Sequence, residues 1–133
     1  DITEARRRYG ADLVIPFMHW GWENEMASGA RQRQLARLMI EAGADAVVGG
    51  HPHVVQDIET YQGKPIFYSL GNFVFDGFTY ADNNTGWLLR LEADRQGIKG
   101  WQVFVAHMDR QGVPHLAPGQ PEKSGGREIS AGK

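Results

Sequence analysis

Two apolar runs separated by a helical pattern dominate the first third of the chain. Residues 12–18 form a nearly continuous apolar run, which is typical of a strand buried on both faces. Pro16 lies inside this run and removes a hydrogen-bond donor, so it indicates a sheet edge or a bulge. Apolar side chains recur at helical spacing over residues 35–42, and Gly43 follows as a stop signal. The second apolar run, residues 45–48, comes next, and the three segments together predict a parallel βαβ unit with a right-handed crossover.

Weaker patterns lie on either side of this unit. Residues 3–9 are rich in Glu, Ala and Arg and precede Gly10, which predicts the end of a helix with Thr3 as its cap. Residues 54–61 fit a short helix or a strand, and the pattern leaves both open. Residues 65–70 are apolar and follow a Gln-Gly-Lys turn, so they predict a third strand.

The C-terminal part has a different, two-residue period. Apolar and polar side chains alternate over residues 87–93 and again over 101–105, and turn-forming residues occupy 94–97. This pattern predicts an antiparallel hairpin. Gly, Pro, Ser, Lys and Glu dominate residues 118–133, which predicts a disordered tail after a single domain over 1–117. The fold class is therefore expected to be α/β.

The overall composition narrows the classes of function. With 133 residues, 41% of them hydrophobic, the chain is long enough for one domain with a packed core. Its 14 basic and 16 acidic residues nearly balance, which argues against a nucleic-acid partner. No cysteine is present, so a metal site must use His, Asp, Glu or Asn. No apolar run reaches the length that spans a membrane.

Three histidines follow the two strands of the predicted βαβ unit. His19 comes directly after the first strand, and His51 and His53 flank Pro52 after the second. Because parallel strands end at the same edge of a sheet, these imidazoles are expected to meet there, and Pro52 is expected to hold His51 in extended geometry. Three imidazoles can hold a divalent metal at about 2.0–2.1 Å. The alternative is a set of ordinary hydrogen-bonded loop histidines, but the pattern favours the metal site.

Other polar and aromatic residues are candidates for the same site. Glu23 can ligate a metal, act as an acid or base, or orient a ligand imidazole, and His53 is a second candidate for a catalytic role. Asn72 can offer an amide oxygen to a metal or a substrate, although Gly-Asn is first of all a turn signal. Trp20 can bind substrate, but packing in the core fits its position equally well.

Three motifs resemble one known family in both order and spacing. They are His19-Trp20-Gly21-x-Glu23, then Gly43-Ala44-Asp45-x-Val47-Val48-Gly49-Gly50-His51-Pro52-His53, then Tyr68-Ser69-Leu70-Gly71-Asn72-Phe73. Together they resemble the CapA-type poly-γ-glutamate capsule synthesis proteins of the calcineurin-like metallophosphoesterase superfamily. The resemblance covers about residues 1–110. It implies a four-layer α/β sandwich, of which this chain would hold the C-terminal half.

The resemblance also implies roles for single residues. His19 corresponds to the isolated metal-binding histidine of the superfamily, and His51 and His53 correspond to its Gly-His-x-His pair. In that superfamily the isolated histidine and the first of the pair share one metal, and the second reaches the other. The ions implied are Mn, Fe or Zn, two in a complete domain. The role of residues 68–73 is not assigned by the resemblance.

The chain departs from the superfamily pattern at its start. The expected upstream Asp and Asn motifs are missing from the eighteen residues before His19, so this chain is expected to hold at most one metal, weakly. A missing N-terminal half or a partner chain would supply the carboxylates. The resemblance further implies an extracytoplasmic, membrane-associated location through an anchor outside this chain.

Three functions stay open at this level. The first is a metal-dependent hydrolase that acts on a phosphoester or a similar substrate. The second is a non-catalytic component of capsule polymer synthesis or export that binds an anionic polymer. The third is an incomplete product that is inactive on its own.

Overall fold

The structure, a computed structural model, describes residues 1–76, 80–119 and 121–126. Two β-sheets and two helices account for most of these residues. In chain order the elements are α1 (Ile2–Arg7), β1 (Phe17–His19), α2 (Ala30–Glu41), β2 (Val47–Gly50), β3 (Ile58–Tyr61), β4 (Lys64–Phe67), a 3₁₀ helix (Asp82–Asn84), β5 (Thr85–Asp94), β6 (Gly97–Met108), β7 (Pro114–Leu116) and β8 (Lys123–Gly126).

The first sheet contains the predicted βαβ unit. Its strand order is β1-β2-β4-β3, with β1, β2 and β4 parallel and β3 antiparallel to β4. β1 is shorter than the apolar run at residues 12–18, because strand geometry begins only after Pro16. β1 is also an edge strand, which agrees with that proline. The segment 54–61, left open between helix and strand, contains β3.

The second sheet contains the predicted hairpin, β5 and β6, which pair from Thr85 with His107 to Asp94 with Gly97. β7 and β8 pair with the other edge of β6. The expectation of disorder is wrong for Lys123–Gly126, since these residues form β8. Residues 120 and 127–133 of the expected tail lie outside the described residues.

Alternate residues of β2 and β4 point to opposite faces of the first sheet and so belong to two cores. Val47 and Ile66 pack with Ala36 and Ile40 of α2 on one face. On the other face, a second cluster joins the two sheets and contains Val48, Phe67, Trp87 and Val103. The described residues therefore form three layers, helix, sheet and sheet, which confirms the α/β class. The four-layer sandwich stays an expectation for the complete domain.

The N-cap of helix α1 lies two residues before the predicted one. Asp1, rather than Thr3, is the N-cap, and its carboxylate accepts a hydrogen bond from the Glu4 N–H at 3.0 Å.

Hydrogen bonds with one buried and one partly buried side chain fix the long loop between β1 and α2. The amide of Gln56, only 2% exposed, donates to the carbonyls of Glu25 and Ala27 at 2.7 and 3.2 Å. Asp57 accepts hydrogen bonds from the backbone N–H and the hydroxyl of Ser28 at 2.7 and 2.9 Å. Since Gln56 and Asp57 lead into β3, this loop is tied to the first sheet at both ends.

A close approach at Gly49 gives a test of the packing beneath the sheet edge. A Cβ at this position would lie 2.3 Å from both Trp20 Nε1 and the Tyr68 carbonyl oxygen. We expect Gly49→Ala to lower the free energy of unfolding by about 1–3 kcal/mol, because neither neighbour can move without losing the hydrogen bond between them. Urea unfolding measures this. Gly50→Ala is the matched control, since its Cβ would meet Phe17 at an ordinary 3.8 Å, and equal losses in the two variants would contradict the packing described here.

The carboxylate of Asp57 predicts a pH dependence of stability. Burial opposes its ionisation, but the two hydrogen bonds from Ser28 and the charge of Arg33 outweigh burial and lower the pKa of Asp57 below its usual value. A depressed folded-state pKa stabilises the protein fully above the unfolded-state pKa, which is about 3.9, and this stabilisation is lost as the pH falls through the folded-state value. In urea unfolding between neutral pH and pH 2, Asp57→Asn should show a shallower loss of stability than the wild type. The exposed Asp12→Asn should follow the wild type, and parallel curves for Asp57→Asn and the wild type would be the contrary result.

Candidate metal centre

The candidate site lies where β1 and β2 end. His19 is the last residue of β1, opposite Gly50 of β2. The two loops that leave this edge are joined by backbone hydrogen bonds, from Trp20 N–H to the Gly50 carbonyl at 3.2 Å and from Asn24 N–H to the Pro52 carbonyl at 2.8 Å. This pairing holds the loop that carries Glu23 against the His-Pro-His segment.

Three side chains from these loops form a possible ligand set. Glu23, His51 and His53 each offer one atom, and the three atoms lie within 4.8 Å of one another. The two histidines are partly buried and Glu23 is exposed. Two imidazoles and a carboxylate suit Zn, Mn or Fe, and they leave coordination positions for water or substrate. Within the described parts of the chain, this is the one group of three or more such side chains at this spacing.

His19 lies next to this set but outside it. Its ring centroid is 4.4 Å from that of His51, and the centroids of His51 and His53 are 6.0 Å apart. The expected meeting of the three rings is therefore found. The group of side chains with converging ligand atoms, however, contains Glu23 as its third member, and the role of His19 as a ligand stays a prediction.

The backbone at the His-Pro-His segment differs from the expectation. His51 has φ +98° and His53 has φ +60°, so both lie in the left-handed region. The prediction that Pro52 holds His51 extended is wrong. Proline excludes the right-handed helical region for the residue before it, and here the chain satisfies that restriction at positive φ. Such conformations cost about 1–3 kcal/mol each in non-glycine residues and are found at functional sites when the surroundings enforce them.

Asn72 contacts a histidine of the ligand set. Its Oδ1 lies 2.8 Å from His53 Nδ1, and the residue is buried. Because an amide oxygen only accepts hydrogen bonds, this contact is a hydrogen bond in the forms of the ring that carry a proton on Nδ1. The substrate contact expected for Asn72 stays a prediction, and the observed contact is with the ring of His53.

Trp20 packs beneath the site. Its side chain is buried, and its indole N–H donates to the Tyr68 carbonyl at 2.8 Å. The structure shows packing for Trp20, and its role in binding substrate stays a prediction. Trp22, two residues later, is 81% exposed.

Two further contributors to the site were missed in the sequence. The rings of Phe75 and His53 pack at an angle of 62°, with centroids 5.2 Å apart. Asn83 donates from its amide to the carbonyl of His53 at 3.1 Å. Both belong to the stretch of aromatic, Asn and Asp residues between β4 and β5, but local sequence contains no signal that this stretch folds back onto His53.

Comparisons with known proteins point to one family. The family described as bacterial capsule synthesis protein PGA_cap matches residues 1–77, which include the ligand set and Asn72. The chain is 57% identical over 103 residues to the PGA biosynthesis protein CapA of Bacillus subtilis, covering 77% of this chain and 26% of that protein. It is 51% identical over 77 residues to the capsule biosynthesis protein CapA of Bacillus anthracis, covering 56% of this chain and 19% of that protein.

A relative of lower identity is also named for the synthesis of a polymer. The chain is 40% identical over 72 residues to a probable polyglutamine synthesis accessory protein of Mycobacterium tuberculosis, covering 54% of this chain and 19% of that protein. The chain thus spans about a quarter or less of the length of these relatives. None of the described helices is long and apolar enough to cross a membrane.

Glu23 gives a direct test of the ligand set. We expect Glu23→Gln to weaken binding of Zn²⁺ or Mn²⁺ by at least about tenfold, because a neutral amide is a poorer ligand than a carboxylate and even the loss of a group that only supports a ligand costs about 10–100-fold. Calorimetric titration of the metal-free chain measures the dissociation constant. Glu25→Gln, an exposed glutamate in the same loop, is the matched control and should bind as the wild type does. Unchanged affinity in Glu23→Gln would remove Glu23 from the set.

Proposed function

Because this chain belongs to the PGA_cap family of bacterial capsule synthesis proteins, we propose that it provides part of a divalent-metal site used in the synthesis of a poly-γ-glutamate capsule. Relatives named for PGA biosynthesis, capsule biosynthesis and polyglutamine synthesis support the process. An envelope location, reached through an anchor outside this chain, is part of the same proposal.

The observation that carries the metal site is the convergence of Glu23, His51 and His53 within 4.8 Å. When bound, a divalent ion at such a site activates water and stabilises negative charge on a phosphoester or a similar group. In this proposal His51 and His53 hold the ion. Glu23 completes the set or, as an exposed carboxylate at its rim, accepts a proton from the attacking water.

The local charge supports a metal-dependent function. The loop after β1 brings the exposed carboxylate of Glu23 to the two histidines. Without a cation this charge would repel a phosphoester or a polyglutamate chain. A bound divalent ion reverses the sign of the local field. Binding of an anionic substrate is therefore expected to require the metal.

The ligand set favours a site completed by other residues. A two-metal centre, with ions about 3.5–4 Å apart, needs a bridging carboxylate and further ligands. We propose that these come from a longer polypeptide or a partner chain. The edge strand β1 is a suitable place for such a segment to pair, because Phe17 on it is 72% exposed beside the site.

A second candidate is a non-catalytic component that binds the polymer through the metal. The limited ligand set of the described residues favours it, since one weakly held ion can bind carboxylates without the second ion that hydrolysis of this type uses. Both candidate functions need the bound metal, but only the hydrolase turns over a substrate.

The test uses this chain together with the segment or partner that completes the site. We expect it to hold two divalent ions by elemental analysis and His51→Ala to lose at least one, together with any turnover of a phosphodiester. His115→Ala is the matched control. His115 is an exposed residue of β7 in the second sheet, where its ring contacts Asp109 and is not part of the ligand set.

The outcomes separate the candidates. Turnover that requires the metal and His51 supports the hydrolase. Metal-dependent binding of polyglutamate without turnover supports the non-catalytic component. Full metal content in His51→Ala would contradict both.

A further inference from the structure

Both ends of the Asn72 side-chain amide have hydrogen-bond partners. Its Oδ1 faces His53 Nδ1 at 2.8 Å, while its Nδ2 donates to the carbonyl oxygens of Asn83 and His53 at 2.8 and 3.4 Å. Backbone carbonyls only accept hydrogen bonds, so the NH₂ group must point toward them. The amide oxygen must then point toward the His53 ring. The orientation of the amide, and with it the direction of the hydrogen bond to His53, is fixed by chemistry.

A second asparagine strengthens this arrangement. Asn83, only 2% exposed, donates from Nδ2 to Asn24 Oδ1 at 2.8 Å and to the His53 carbonyl at 3.1 Å. The carbonyl of His53 therefore receives two amide donors. These contacts hold His53 in its left-handed conformation, with φ +60°. Asn24, Asn72 and Asn83 thus connect three separate segments at one residue of the ligand set.

The backbone on either side of Asn72 contacts the start of β5. Trp87 N–H donates to the Leu70 carbonyl at 2.8 Å, and Gly71 pairs with Gly86 at the start of β5. A Cβ on Gly86 would lie 1.6 Å from the Asn72 carbonyl oxygen. The start of the second sheet therefore packs directly against the Asn72 backbone.

We propose that Asn72 is a positioning residue, which fixes His53 as its Nδ1–H tautomer so that Nε2 is presented to the divalent ion. Ligand histidines commonly donate their second ring N–H to an oxygen that sets ring orientation and basicity, and loss of that oxygen costs about 10–100-fold in metal affinity. Asn72 supplies this oxygen without adding a charge. Phe75, packed edge-on at 5.2 Å, restrains the same ring. The proposal rests on the proposed function, since it gives Asn72 a role toward the same metal.

The tautomer can be measured without metal. Long-range ¹H–¹⁵N spectra of the ¹⁵N-labelled, metal-free chain at about pH 8, where histidine is neutral, distinguish Nδ1–H from Nε2–H for each ring. We expect His53 of the wild type in the Nδ1–H form. Asn72→Ala should lose that form and weaken Zn²⁺ binding by about 10–100-fold. Asn72→Asp keeps the acceptor oxygen, so it should retain the tautomer and stay closer to the wild type in affinity than Asn72→Ala does.

The possible results separate this proposal from the one it rests on. An Nε2–H form of His53 in the wild type would overturn it without any variant, even if Asn72→Ala fails to fold. Unchanged tautomer and Zn²⁺ affinity in folded Asn72→Ala would also overturn it, while Zn²⁺ binding that is lost in His51→Ala would leave the metal site standing. Absence of Zn²⁺ binding by the wild type would instead overturn the proposed function itself.

Discussion

Parallel pairing of β1 with β2 is the constraint on which the rest of the site depends. It brings the end of β1, at His19, level with Gly50, immediately before the His-Pro-His segment. The packing beneath these strands is close, because Trp20 Nε1 and the Tyr68 carbonyl oxygen, joined by a buried hydrogen bond, would both lie 2.3 Å from a Cβ on Gly49. Trp20 is the first residue of the loop that carries Glu23, so this core contact lies next to the ligand set.

Two residues of the site have unfavourable backbone conformations, and hydrogen bonds from buried side chains stabilise this segment. His51 and His53 both adopt positive φ. Asn72 and Asn83 satisfy the carbonyl of His53, and Asn72 also satisfies its ring nitrogen. Hydrogen bonds of this kind are worth most where water is excluded, and Asn72 and Asn83 are both buried. A single unusual conformation is thus selected from the many that a flexible loop would sample.

Sequence reasoning succeeded where the signal was local or followed from a topological rule. The periodicity of residues 35–42 and of the hairpin strands revealed α2, β5 and β6, and the parallel βαβ rule placed the three histidines at one edge. It failed where distant segments decide the outcome. The left-handed conformation of the His-Pro-His segment and the contact of Asn72 with His53 are not signalled by the local pattern, since Asn72 and Asn83 reach His53 from distant parts of the chain. β8 was missed because it carries no apolar pattern; Lys123 instead lies over the Trp87 ring at 5.0 Å.

The central proposal is that Glu23, His51 and His53 hold a divalent ion. The family match supplies the process, whereas the convergence of the three side chains supplies the chemistry. Anomalous diffraction at the zinc edge from crystals of the zinc-loaded protein tests this claim most directly. We expect an anomalous peak among these side chains, about 2.0–2.1 Å from a nitrogen of each histidine. A zinc ion bound elsewhere, with no peak at the ends of β1 and β2, would contradict it.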